Sequence, residues 1–90
     1  RSRRRGLLGR DGIDGVLLLR PARAVHTVGM RFPIDVAFCS DDLRVLRVVT
    51  MRPNRIGRPC LKARCVLEAE AGAFAHWELH PGDHLEIRAS

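Results

Sequence analysis

The sequence has little with which to stack, span or crosslink. Its aromatic residues are three Phe and one Trp, which leaves few rings for the base stacking that single-stranded nucleic-acid binders use. The longest apolar run, Val16-Leu17-Leu18-Leu19, is closed by Arg20 and Pro21, far short of the roughly 20 residues needed to cross a bilayer. No transmembrane segment is expected. The three cysteines, Cys39, Cys60 and Cys65, are an odd set with no Cys-x-x-Cys pair, which argues against a disulfide framework. Gly6, Gly9, Gly12 and Gly15 recur every three residues but match neither the dinucleotide-binding nor the P-loop pattern, so they read as tight-turn positions. Lysine is nearly missing, since fifteen of the sixteen cations are Arg. That skew reads as a compositional bias as readily as a binding surface.

What is present is the material of one core. The chain has 90 residues, and its 46% hydrophobic content is spread from Ile13 to Ile87, so residues 1–90 are expected to form a single domain. The net charge of +6 is segregated: residues 1–10 carry five Arg, residues 52–64 carry four Arg and Lys62, and residues 65–90 are net acidic. Basic segments of this kind can neutralise phosphates. Nucleic-acid binding through 1–10 and 52–64 is therefore possible, although the scarcity of stacking rings does not favour it over a solvated basic face. The chain begins on Arg1 rather than Met, and it is expected to be soluble, either cytoplasmic or exported after loss of a leader.

Along the chain, Ser2 is placed to cap a short helix through Leu7 and Leu8, which Gly6 and Gly9 would each weaken by about 1 kcal/mol relative to Ala. From Ile13 onward, short apolar stretches broken at Pro21, Gly29 and Pro33 are the punctuation of a β-rich domain. Strands are predicted at 15–19 and 24–30. The clearest is 34–39, where Ile34, Val36 and Phe38 point to one face and Asp35, Ala37 and Cys39 to the other. Ser40-Asp41-Asp42 turns the chain into 43–49, giving an antiparallel hairpin. Residues 51–64, with two prolines and no sustained period, read as a long basic loop. Residues 66–69 read as a short strand. The helical spacing of Ala71, Phe74, Ala75, Glu78 and Leu79 predicts one or two turns of helix, anchored in the core by Trp77, before Pro81-Gly82. Leu85 and Ile87 alternate with His84, Glu86 and Arg88 as a closing strand.

His26-Thr27-Val28-Gly29-Met30-Arg31-Phe32-Pro33-Ile34-Asp35-Val36-Ala37-Phe38, preceded by Arg-Gly-Leu-Leu-Gly-Arg at 5–10, resembles the family called domain of unknown function 192. The likeness extends to Val66-Leu67-Glu68-Ala69-Glu70-Ala71-Gly72, similar to the family's Val-Leu-Glu-x-x-x-Gly, and to its final Gly-Asp turn at Pro81-Gly82-Asp83. The resemblance spans essentially the whole chain. It implies a compact, mainly β domain, an antiparallel barrel- or sandwich-like arrangement with one or two short helices, and it brings no activity with it. One departure is at the hairpin, where family members often carry an Asp-x-Asp-Gly-like turn and this chain has Asp41-Asp42-Leu43. A glycine there accepts φ > 0 freely, so Leu43 implies a different turn or a shifted register.

The side chains most suited to a site are His26, Thr27, Met30 and Asp35, joined by Arg10 through the family pattern and by Glu68 of the Val-Leu-Glu segment. Asp35 interrupts an apolar strand, and burying a carboxyl group costs several kcal/mol unless it is paired. Arg10, Arg31 or His26 is the expected partner. The pair then either lines a pocket for a small polar ligand or braces a loop against the sheet. Thr27 and Met30 fit either arrangement. His76, His80 and His84 recur every four residues, but Pro81 and Gly82 interrupt the helix that would align them, so they read as surface histidines and neither metal nor cofactor is expected. Cys60 or Cys65 with a histidine and Glu68 has no local motif to support a nucleophile. Cys39, at the end of its strand, reads as a small buried hydrophobe. The favoured function is a small non-enzymatic binding or accessory domain for a polar ligand or a protein partner. A small hydrolase using the same groups is the alternative.

Overall fold

β-branched and aliphatic residues concentrate in four short runs, and these are the strands. The computed structural model describes residues 15–86; the short helix expected near the N-terminus, Arg10 and Ile87 fall outside them. The fold is mainly β. Strands β1 (Val16–Leu19), β2 (Ile34–Cys39), β3 (Val45–Met51) and β4 (Cys65–Glu70) are followed by a single turn of helix, α1 (Ala73–His76). All four strands join one antiparallel sheet in the order β1-β4-β2-β3. The pairing of β2 with β3 is the expected hairpin, and β4 inserts between β1 and β2. Among the described residues no helix is long and apolar enough to cross a membrane.

Register assigns every strand side chain to a face. Ile34, Val36 and Phe38 share one face with Val66, Glu68 and Glu70, with Arg47, Val49 and Met51, and with Leu17 and Leu19. Asp35, Ala37 and Cys39 share the other with Thr50, Val48, Cys65, Leu67 and Ala69. Every residue of β2 is buried, so this central strand has protein over both faces. The second face takes α1, whose Phe74 is buried and meets Trp77 at 5.8 Å between ring centroids. The first face lies under two long loops, 20–33 and 52–64. They are joined at the isolated bridge His26–Ile56, and Gly57 sits close against the Val25 carbonyl and the Met51 side chain.

Two expectations change against this architecture, and the helix takes the shorter of its two expected lengths. Residues 24–30 are a loop and not a strand. Gly29 takes φ 84° and turns the chain after the single bridge at His26. The closing strand reduces, in its described part, to one bridge between His84 and Arg44. The helix is one turn long because Glu78 takes a positive φ of 55° directly after it. At the hairpin the register slips between Phe38 and Cys39, one of the two outcomes the Leu43 departure implied, while Leu43 itself adopts φ 67°, the conformation a glycine would take.

The loops are held by side chains where a ladder is missing. Thr27 is fully buried; its hydroxyl donates to the Arg52 carbonyl at 2.6 Å and accepts from the Arg55 N–H at 2.9 Å. Its own carbonyl accepts from Met30 and Asn54. Thr27→Val keeps the shape and strands two backbone groups, and is expected to lower stability by about 1–3 kcal/mol. Urea denaturation measures it, and a loss below half a unit of that range would show the hydroxyl to be replaceable by water.

Candidate functional site

The two carboxyl groups singled out from the sequence lie on opposite faces of the sheet. Asp35 is 3% exposed, and both of its oxygens are in use. Oδ1 accepts from the Thr50 hydroxyl at 2.6 Å, and Oδ2 accepts from the Gly72 N–H at 2.9 Å and the Phe74 N–H at 3.0 Å. Gly72, at the N-terminus of α1, has no side chain to cap that helix. A carboxyl group from the neighbouring sheet supplies the cap in its place. This is the bracing arrangement, and its partners are Thr50 and two backbone N–H groups in place of Arg31 or His26.

Glu68 is the opposite case. It sits in the middle of β4, between Leu17 of β1 and Val36 of β2 on the loop-covered face. Its half-buried carboxyl group has no hydrogen-bond partner among the described residues. Burial raises its pKa above the ordinary glutamate value, with the charge of His26 acting against that rise. His26 is exposed at the bridge to Ile56, and its Nδ1 accepts from the Val28 N–H at 3.3 Å, which leaves Nε2 as the donor of the neutral ring. Met30 is half-buried against the same core. His26 and Glu68 are thus brought within electrostatic reach of each other, while Thr27 and Asp35 are buried and spent on internal bonds.

A group held above its ordinary pKa by burial contributes most to stability when protonated. For Glu68 that contribution is complete below the ordinary value of 4.5 and is lost as pH rises through the raised value. Glu68→Gln removes the ionisation, so the melting temperature of the variant should gain on the parent as pH rises from 4.5. Parallel thermal melts across that interval measure it. A constant difference would mean that Glu68 is well solvated in the folded chain.

The remaining chemistry-bearing side chains do not converge. No group of three or more His, Cys, Asp or Glu suited to a metal ion occurs among the described residues. His76, His80 and His84 are exposed, and His84 Nε2 lies 2.7 Å from the Asp42 carbonyl. The cysteines are free. Cys65 is the first residue of β4, and its cross-strand neighbour is Cys39. Burial and the adjacent Cys65 thiol push Cys39 up to about 12, and burial also raises Cys65. Neither is poised as a thiolate nucleophile.

A family profile described as Uncharacterized ACR (DUF192) matches residues 1–87. The chain belongs to the domain of unknown function 192 family. No curated protein and no solved structure matches it. Within this DUF192 domain, Asp35 and Glu68 come from two of the four segments that carry the family pattern, and the sheet separates them onto a braced face and a loop-covered face. Sequence reasoning missed Thr50 and the α1 N–H groups as the partners of Asp35. A backbone donor 37 or 39 residues away leaves no mark in residue type.

Proposed function

We propose that this DUF192 domain is a binding module whose ligand site is the polar patch around Glu68 and His26 on the loop-covered face, walled by Met30, with Arg10 of the family pattern kept as a candidate ligand contact. The observation that carries this reading is Glu68: a half-buried carboxyl group at mid-strand, raised in pKa by burial, with no hydrogen-bond partner among the described residues. A group in that state gains from a ligand that donates hydrogen bonds to it, so the ligand is a small polar molecule bearing amino or hydroxyl groups. Thr27 and Asp35 serve this site from behind, one fixing the loop that carries His26 and the other fixing α1 beneath the opposite face. The hydrolase alternative is weaker because Asp35, one of the groups it would use, is buried with both oxygens taken by Thr50 and two backbone N–H groups.

The test is a thermal-shift screen of the full chain against amines, amino acids and sugars. Any ligand that prefers the folded state raises its melting temperature. A shift from one class, lost in both Glu68→Gln and His26→Ala, supports the reading. A screen without a shift, or a shift that survives both substitutions, overturns it.

A further inference from the structure

The order β1-β4-β2-β3 leaves β3 at an edge of the sheet. Its first residues are covered: the Val45 N–H donates to the Asp83 carbonyl, the Gly82 N–H donates to the Val45 carbonyl, and the Leu85 N–H donates to the Leu43 carbonyl. Beyond Val45, none of the described residues makes a backbone hydrogen bond to the outer side of 46–51. An uncovered edge of that length, about 20 Å at 3.3 Å per residue, is a template for another strand and is normally blunted by a proline, a bulge or an inward charge. The one bulge in β3 lies at its covered end, opposite Phe38 and Cys39, and the one charged residue of 46–51, Arg47, is turned onto the Phe38 ring.

The edge also borders a trough of about 450 Å³. Arg47, Val49 and Met51 line it from one face of the strand and Val48 from the other, with Gly57 and Arg58 across the gap. The consecutive residues Arg47, Val48 and Val49 along its wall set the hollow against β3 itself. Its floor is Phe38, which is 1% exposed beneath the Arg47 guanidinium at 4.6 Å from the ring centroid. Arg47 is fixed there, since it also donates to the Arg58 carbonyl. From Leu43 to Leu67 the chain carries seven Arg and Lys residues and no Asp or Glu.

We propose that the open edge of β3 docks an extended acidic segment of a partner protein, which joins the sheet as an added strand. A side chain facing Arg47 is acidic, and the side chain two positions along, facing Val49, is apolar, because alternate residues of the added strand fall on the same face. Charge complementarity selects this occupant. A second copy of the chain would bring its own Arg47 and Arg58 into an already positive trough. A nucleic acid would find no ring to stack on, Phe38 being covered, and its phosphates make no use of strand N–H and C=O groups in alternation. The surface is separate from the Glu68 site.

The probe is a synthetic acetylated peptide, Thr-Glu-Thr-Val-Thr-Val, titrated into the ¹⁵N-labelled full chain. The expected result is chemical-shift change and slowed amide exchange confined to 46–51. Binding should weaken about tenfold when Lys replaces the peptide's Glu and again in Arg47→Glu, with the Lys peptide recovering affinity on that variant. Arg58→Glu repeats the measurement without disturbing the contact with Phe38. A peptide in which proline replaces the central threonine, and so cannot donate, should not bind. Binding that is indifferent to proline and is matched by an oligonucleotide at the same ionic strength would overturn the proposal in favour of a phosphate-binding surface. Self-association through 46–51 without peptide, or a titration with no response at millimolar peptide, overturns it as well.

Discussion

Asp35→Ala is expected to lose about 3–5 kcal/mol of stability, because it removes a buried carboxyl group that accepts three hydrogen bonds. The loss comes less from the missing carboxyl group than from what it leaves behind. The Gly72 and Phe74 N–H groups and the Thr50 hydroxyl would lose their acceptor, the Phe74 N–H in a place closed to water and the other two at its margin, where Gly72 and Thr50 are exposed. Each stranded donor costs about 1–3 kcal/mol. A domain of this size has about 5–15 kcal/mol in total, so the variant would sit near the edge of folding. Asp35→Asn separates the contributions: its amide oxygen serves either Thr50 or the two α1 donors, and its NH₂ then faces the other as a second donor. Thr50→Val removes only the Oδ1 bond and should cost about 1 kcal/mol. Urea denaturation of the three variants orders them, Ala and Asn well above Val. If Asp35→Ala lost less than Thr50→Val, the cap on α1 would contribute nothing and the bracing role would fall.

That partner set explains what the sequence could and could not reveal. The need for a partner was legible, because a carboxyl group in the apolar run 34–39 has no other way to be buried. Thr50 was hidden by one residue. A regular hairpin closed at the Cys39–Val45 pair would set Asp35 opposite Val49; the slip between Phe38 and Cys39 moves Thr50 into that place. The slip accompanies Leu43 at φ 67°, so the departure from the family's glycine turn and the choice of the Asp35 partner belong to one local geometry. The loop at 24–30 misled for a different reason. Val25 and Thr27 are buried while His26 and Val28 are exposed, which is the alternation of a strand. Alternation records which side chains face the core, and it does not record whether a neighbouring backbone is present to pair with. Here the pairing is a single bridge to Ile56, flanked by the Thr27 N–H on the Arg55 carbonyl and the Gly57 N–H on the Val25 carbonyl, and the Thr27 hydroxyl adds its own bonds to the Arg52 and Arg55 backbone. Glu68 was legible only through the family pattern. Its half-burial depends on β4 lying between β1 and β2, a long-range order that no local periodicity encodes.

Phe38→Ala is expected to cost about 3–5 kcal/mol, the range for deleting a fully buried aromatic side chain. Phe38 is 1% exposed on the central strand, with Arg47 and Val66 as its cross-strand neighbours. Neither can close the gap, since Val66 is fixed by its own strand and the Arg47 head is tied to the Arg58 carbonyl. The substitution therefore leaves a cavity and removes the ring under the guanidinium in one step. Phe38→Leu divides the two effects, because it restores most of the apolar volume without the π face. A cost of about 1–1.5 kcal/mol for Leu would assign most of the Ala loss to the cavity. A cost for Leu close to that of Ala would assign it to the ring beneath Arg47, more than the roughly 0.5–1 kcal/mol of an exposed cation–π pair. The Leu variant also bears on the trough at the β3 edge. If the ring holds Arg47 in place, Phe38→Leu should weaken acidic-peptide binding while leaving the amide-exchange protection of β2 unchanged, because the floor of the trough and the strand beneath it would then be separately maintained.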